Sequence, residues 1–354
     1  MPLAAPGLRC PSVCKGPQDI LPRPVAKVQQ DWVIIYVDDA LFMGSNLDLV
    51  LKKKREFMNV WECRDLGEAK EFLGMRILRD RSKRQLTIDQ SDYLKKVVKR
   101  FGMEDAKFAN TPLPTGYKPT ANEKPVDPEL RARFQSVIGS ILFLMLGTRP
   151  DIAYATIKLS QFAANPSSEH LQKALYIIRY LNKTRDYRLV YDGMSDKGLI
   201  CFADSDWASD DTDRKSHSGY VIKLASAPVC WVSHKQKTVA LSSTEAEYMS
   251  LSDASRPLCW IKLLFGELKF PIHGIPLVGD NQGSIFLTSN CVVEKRSKHI
   301  DIRFHFIRDK VDDGTVVVFY TPTDQNVADI FTKNLPLASF IKFRSRLGLE
   351  FANA

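Results

Sequence analysis

The alternation of apolar and polar residues divides the chain into blocks with different rhythms. Near the start, Trp32-Val33-Ile34-Ile35-Tyr36-Val37 leads into Asp38 and Asp39, and a second apolar run, Ala40-Leu41-Phe42-Met43, follows at once. Two short apolar runs around an acidic tip predict a β-hairpin. A helix rich in Lys and Arg comes next. A strand pair around Phe72–Leu78 and Gln85–Asp89 follows, and then a basic helix over Tyr93–Phe101. Pro112, Pro114, Pro119, Pro125 and Pro128 break residues 105–130, which read as a linker. Beyond it the period is helical: Val137, Ile138, Ile141, Leu142 and Met145, then Leu171, Leu175, Ile178 and Leu181.

From 197 onward the rhythm changes again. Leu199–Asp204, Gly219–Leu224 and Val229–Ser233 predict three short strands separated by polar loops. A long helix is expected from about Thr244 to Leu268, because Ser242-x-x-Glu245 and Thr244-x-x-Glu247 both resemble a capping box. Ile275–Gly279 reads as a strand, Asn281–Leu287 as a short helix and Ile300–Val311 as a longer one. Val316–Tyr320 is a β-branched strand and Val327–Leu335 a closing helix. Strands in succession, then strands alternating with helices, argue for an α/β fold with a mixed sheet covered by helices. The expected divisions are a disordered leader 1–30, a block 31–104, the linker 105–130, a helical block 131–196, the α/β block 197–340 and a tail 341–354.

Composition narrows the class of partner. The chain has 354 residues, 44% hydrophobic, with a net charge of +9, which favours polyanionic partners. The basic residues concentrate in the first third, in Lys52-Lys53-Lys54-Arg55 and in Lys95-Lys96 continuing to Lys99-Arg100. Seven cysteines, odd in number and scattered, support neither a disulfide framework nor a zinc site. The longest apolar run, Ile138–Leu146, is too short to span a bilayer, and Met1–Gln30 lacks the apolar core of a secretory signal. An intracellular protein, cytoplasmic or nuclear, without membrane or small-molecule partners is the expectation.

Two groups of acids carry candidate chemistry. Asp38 and Asp39 say little by themselves, but template-directed polymerases need carboxylates held together so that two divalent ions can flank a phosphate. A third acid must come from a neighbouring strand. Asp31 lies roughly 23 Å along the same strand, and Asp19 sits in the Pro-broken leader, so the pair looks incomplete. In the α/β block, Asp204 ends the first strand, Glu247 lies in the first turn of the long helix, Asp280 ends the fourth strand and Asp329 opens the closing helix. If the first and fourth strands are neighbours, Asp204 and Asp280 share one sheet edge, where ligands collect. Clustered carboxylates repel unless cations neutralise them, and oxygen ligands suit two Mg²⁺ or Mn²⁺ ions. Acids at strand ends and helix N-termini also serve simply as caps. Asp206 and Glu245 are near-duplicates, and of Glu245 and Glu247 only one can face the sheet.

The motifs then become specific. YVDD at Tyr36–Asp39 is joined by DLGEAKEFLGM at Asp65–Met75, GTRPDIAYA at Gly147–Ala155, ADSDWA at Ala203–Ala208 and DRKSHSGY at Asp213–Tyr220. VALSSTEAEY at Val239–Tyr248, GDNQGSIF at Gly279–Phe286, KRSKHIDIRFHFIRD at Lys295–Asp309 and ADIFTKNL at Ala328–Leu335 complete the series. From Val33 to about Phe351 the chain resembles the end of the Pol polyprotein of copia-type LTR retrotransposons. The resemblance implies that 31–190 is the tail of a reverse transcriptase, with a partial palm hairpin and a helical thumb and connection. It implies a ribonuclease H-like domain over 197–340. On it, Asp204, Glu247, Asp280 and Asp329 fall on the catalytic DEDD set, which selects Glu247 over Glu245. Asp38 and Asp39 fall on two of three polymerase metal ligands, a vestigial pair.

The implied activity is metal-dependent cleavage of RNA in RNA–DNA hybrids, without polymerisation, since most of the fingers and palm has no match. The basic clusters would contact nucleic acid. An inert remnant that only binds nucleic acid is the alternative, and a DNA-resolving or integrating nuclease is a third class. The leader does not match the family. His217 stands where Thr is usual, and Cys291 where Pro is common. Thr321–Asn326 lacks the histidine that many cellular ribonucleases H carry, which lowers the expected turnover. His299 and His305 are expected to be structural, and Trp207, Trp231 and Trp260 to lie in the core.

Overall fold

The structure, a computed structural model, describes residues 31–195, 198–210, 212–289 and 306–351. The leader, Cys291, His299, His305 and the first half of the helix expected at Ile300–Val311 lie outside the described residues; 306–312 are helical. The predicted hairpin forms from β1 (Asp31–Tyr36) and β2 (Asp39–Gly44), which pair antiparallel with Tyr36 opposite Asp39. Val37 turns the corner at φ +50°, a costly conformation for a β-branched residue. Helix α1 (Leu47–Val60) packs on β2 and starts at Asn46, whose side chain accepts from the Asp48 and Leu49 N–H groups.

The next sheet is antiparallel and draws strands from distant parts of the chain. It contains β3 (Glu71–Phe72), β4 (Met75–Asp80), β5 (Gln85–Asp89), β6 (Tyr187–Asp192) and β12 (Leu349–Phe351), in the order β12-β6-β5-β4-β3. Two expected divisions are corrected by it. The block 131–196 is not helical throughout, because β6 adds to β5. Within the segment expected as a tail, 341–351 is folded, because the helix Leu337–Arg346 runs through its boundary and β12 pairs with β6. The linker 105–130 also packs closely: Ala109, Thr111 and Leu113 are buried.

Helices α2 (Ser91–Arg100), α3 (Pro128–Gly147), α4 (Ala153–Ser160) and α5 (Ser168–Lys183) build the first core. Phe134, Val137, Ile141 and Leu144 of α3 interlock there with Ile177, Ile178 and Leu181 of α5. By length and composition α3 would suffice to cross a membrane, but here it contributes this buried face. The GTRPDIAYA motif supplies a buried clamp beneath these helices. Arg149 makes two hydrogen bonds to Asp151, at 2.9 and 2.8 Å, and donates to the Thr184 carbonyl at 3.0 Å. Tyr180 donates to Asp151 at 2.5 Å, and Arg344 of the C-terminal helix donates to Tyr180 at 3.2 Å. Such a pair is tolerated in the interior because every charge has a partner.

The second sheet carries the acids. Strands β7 (Ile200–Asp206), β8 (His217–Leu224) and β9 (Ala227–Lys235) run antiparallel, while β10 (Ile275–Gly279) and β11 (Val316–Tyr320) add in parallel on the other side of β7. The order is β11-β10-β7-β8-β9, so the expected neighbours β7 and β10 do pair, with Leu277 opposite Cys201. Helix α6 (Ser243–Glu267) covers one face, where Cys201, Ala203 and Ile222 meet Tyr248, Leu251 and Leu258. Phe202 and Val221 point the other way, into the core with Phe331 and α3. One correction concerns the end of this unit. The closing helix expected over Val327–Leu335 is a short 3₁₀ turn, Val327–Phe331, and the chain becomes α-helical again only at Leu337, after Pro336.

Candidate active site

Asp204 lies near the end of β7, two residues after Phe202, and therefore on the face that meets the 3₁₀ turn rather than α6. It is fully buried. Its main chain is pinned from two sides: Ser250 donates to the Asp204 carbonyl at 2.7 Å, and Asn326 donates to the Ala203 carbonyl at 2.9 Å. The start of α6 brings in Glu247. Ser242 caps that helix through the Glu245 N–H, and Glu245 accepts from the Leu241 N–H at 2.8 Å. Glu245 is thereby occupied as a cap, while Glu247, on the opposite side of the helix, is buried and accepts from the Ser205 N–H at 3.2 Å. Asp280 follows β10 directly, before α7 (Gln282–Ser289). One oxygen from each of Asp204, Glu247 and Asp280 lies within 4.8 Å of the others.

Asp329 reaches the site from the 3₁₀ turn. Gly219 of β8, opposite Asp204 in the sheet, lets that turn sit close, because a Cβ there would collide with the Phe331 side chain. Asp329 joins the cluster through Lys333, whose ammonium lies 3.0 Å from Asp329 and 3.3 Å from Asp204. The Thr332 hydroxyl also donates to Asp204.

The electrostatics follow from crowding buried like charges. Burial, followed by the facing carboxylates of Asp204 and Asp280, pushes Glu247 up to about 10. Burial and then Asp204 raise Asp329 to about 7, and burial raises Asp280 as well. Burial works against the Lys333 charge, but Asp204 and Asp329 outweigh it and hold the ammonium above its usual range. Without further cations, part of the cluster keeps its protons. The donors are all carboxylate oxygens, and a bound cation would displace their protons and relieve their repulsion, so they fit a hard divalent ion such as Mg²⁺ or Mn²⁺. Asp206 is raised by burial too, but it is not among the three acids whose oxygens converge.

The other candidates lie elsewhere. Asp38 and Asp39 are exposed at the hairpin turn, and Asp31 pairs with Gly44 at its far end. Among the described residues no further acid joins them in a metal-type cluster. Lys52 and Lys53 share Glu56, Lys54 pairs with Asp65 at 2.6 Å, and the Arg55 side chain donates to the Leu51 carbonyl. Lys95 pairs with Asp92 at 2.9 Å on α2, and Lys96 lines an open cavity of about 910 Å³ with Arg76 and Asp89. Trp231 is half-buried and donates to the Met145 carbonyl, but Trp207 and Trp260 are exposed, against the expectation of core positions. His217 is buried against Ser233 at 2.8 Å and the ring of Tyr154. Lys333 lies outside the basic clusters of the sequence. Its spacing of four residues from Asp329 was the available signal, since on a helical turn that spacing puts both side chains on one face.

A mixed sheet in this strand order, with acids gathered at the ends of two adjacent parallel strands, is a ribonuclease H-like fold. Residues 27–115 match the family described as reverse transcriptase (RNA-dependent DNA polymerase). The retrovirus-related Pol polyprotein from transposon TNT 1-94 of Nicotiana tabacum is 36% identical over 90% of this chain and 24% of its own length. A putative transposon Ty5-1 protein of Saccharomyces cerevisiae is 33% identical over 63% of this chain and 72% of its own length. A solved LC11-RNase H1 in complex with RNA/DNA hybrid aligns with 38% of this chain and 93% of its own, at 17% identity and a TM-score of 0.29. The chain belongs to the Pol polyproteins of copia-type LTR retrotransposons. It spans about a quarter of the length of the Pol polyproteins it matches.

Proposed function

We propose that the chain hydrolyses the RNA strand of RNA–DNA hybrids at the buried carboxylate cluster. The observation that carries this reading is the convergence of Asp204, Glu247 and Asp280 within 4.8 Å, at the ends of two strands and the start of a helix. Asp204, Glu247 and Asp280 would hold one divalent ion, and Asp204 with Asp329 a second. Such ions, when bound, activate water and stabilise the departing 3′ oxygen of a phosphodiester. The chain's own groups set the stage. The Ser205 N–H orients Glu247, Ser250 and Asn326 hold the β7 backbone, and Thr332 fixes one oxygen of Asp204. Preference for a hybrid would come from 2′-hydroxyls on one strand, read across a shallow minor groove. Lys52–Arg55 and Lys95–Lys96, in this reading, contribute phosphate contacts, which for Lys52, Lys53 and Lys95 compete with exposed ion pairs at little cost.

The same reading gives Asp38 and Asp39, exposed on the hairpin turn, no part in this hydrolysis. The test is incubation of the purified chain with a labelled hybrid, and separately with duplex DNA, in Mg²⁺ or Mn²⁺. Cleavage confined to the RNA strand is expected. Binding without cleavage in either ion would leave only the nucleic-acid-binding reading. Equal cleavage of duplex DNA would move the chain to another nuclease class.

A further inference from the structure

The site is asymmetric in how it is neutralised. Among the described residues, the ion pairs formed by Asp204 and Asp329 are both with Lys333. Its ammonium nitrogen lies 3.3 Å from one Asp204 oxygen, 3.5 Å from the other and 3.0 Å from Asp329. That is the space between the two acids proposed to share the second ion. No ion pair from the chain reaches Glu247 or Asp280 among the described residues. The lysine side chain is 30% exposed, whereas that of Asp204 is fully buried. Its flexible stem therefore lets the ammonium leave toward solvent without any movement of the sheet.

We propose that Lys333 is a resident counter-cation on the Asp204–Asp329 side, which a divalent ion entering that side has to displace. The inference rests on the proposed function, in which the cluster is a divalent-cation site. It makes the two sides unequal. The Asp204–Glu247–Asp280 side takes an ion first, and the lysine side takes one only at higher ion concentration. A monovalent charge held by the chain keeps the buried acids partly neutralised when ions are scarce. It also lowers their affinity for a second ion, since cation and ammonium repel across a few ångströms of partly buried space.

The test is equilibrium binding of Mn²⁺ alone, followed by electron paramagnetic resonance and calorimetry at fixed pH without nucleic acid. Wild type, Lys333→Met, Lys333→Arg and Asp204→Asn are compared. Lys333→Met should bind the second Mn²⁺ at least about tenfold more tightly than wild type, and Lys333→Arg should not. In EDTA, Lys333→Met should also melt lower than wild type, with Mn²⁺ restoring more stability to it than to wild type. Unchanged affinity and stoichiometry in Lys333→Met overturn the proposal while Asp204→Asn still abolishes binding. Full Mn²⁺ binding by Asp204→Asn instead overturns the cluster as the cation site. If Lys333→Met does not fold, Lys333→Gln takes its place, and affinity equal to wild type in that variant also sinks the proposal.

Discussion

Two pairs of neighbouring acids show how environment, not residue type, makes a site. Asp38 and Asp39 occupy an exposed hairpin turn, with water to solvate them and no opposing carboxylate among the described residues. Asp204 and Glu247 are buried at the junction of a strand and a helix, and Asp280 closes the group to within 4.8 Å. Solvent screens the first pair, so nothing in the fold has to compensate its charge. Burial cannot screen the second, so Glu247 is driven to about 10 and the chain commits a lysine to Asp204 and Asp329. Another buried acid, Asp151, completes the contrast. Arg149 and Tyr180 satisfy it permanently, which leaves it no demand for an outside cation.

The largest expected effect separates the first two regions. Asp204→Asn should lower hybrid cleavage by ~10²–10³-fold or more, while the double change Asp38→Asn and Asp39→Asn should leave it unchanged. Equal loss in both variants, in a steady-state cleavage assay, would contradict the comparison. Next comes the permanently paired acid. Arg149→Ala strands the Asp151 charge in the interior and should cost about 3–5 kcal/mol in urea unfolding. A loss below about 1 kcal/mol would mean that the clamp is not energetically coupled.

A third, smaller effect is the pH dependence of the metal-free protein. Glu247 and Asp329 hold protons more tightly folded than unfolded, so the stability they contribute is complete below their ordinary values near 4. It is lost as pH rises through about 7 for Asp329 and about 10 for Glu247. Thermal unfolding in EDTA should therefore show melting falling from about pH 5 to about pH 9, less steeply in Asp204→Asn. A melting temperature that climbs across that range would refute the crowding argument. The smallest effect belongs to Glu245→Gln. This residue caps α6, so the change should cost under about 1 kcal/mol and little activity.

How far these differences could be read in advance depends on whether the signal was local. Strands Ile275–Gly279 and Val316–Tyr320 match their predicted bounds, because β-branched runs between turn residues carry their own signal. The capping pattern placed the start of α6 within two residues and so oriented Glu247, although choosing it over Glu245 took the family resemblance. Long-range pairings were not legible. Strand β6 joins β5 across about a hundred residues, and β12, three residues long, is too short to alternate. The 3₁₀ turn at Val327–Phe331 has the composition of a helix, and nothing in its sequence explains why it stops well before Pro336. Lys333 is inconspicuous in the sequence, because a lone lysine outside any basic cluster gains its meaning only when the fold sets it between two buried acids.

The contrast between the buried cluster and the exposed pair comes down to which of them holds a divalent ion. The most direct measurement is the Mn²⁺-induced rise in melting temperature of wild type, Asp204→Asn and the Asp38→Asn, Asp39→Asn double variant, at one pH and without nucleic acid. An ion that binds only the folded state stabilises it in proportion to the logarithm of its saturation. The account predicts the same rise in wild type and in the hairpin variant, and none in Asp204→Asn. A rise that survives Asp204→Asn, or one that disappears when Asp38 and Asp39 are neutralised, would contradict it.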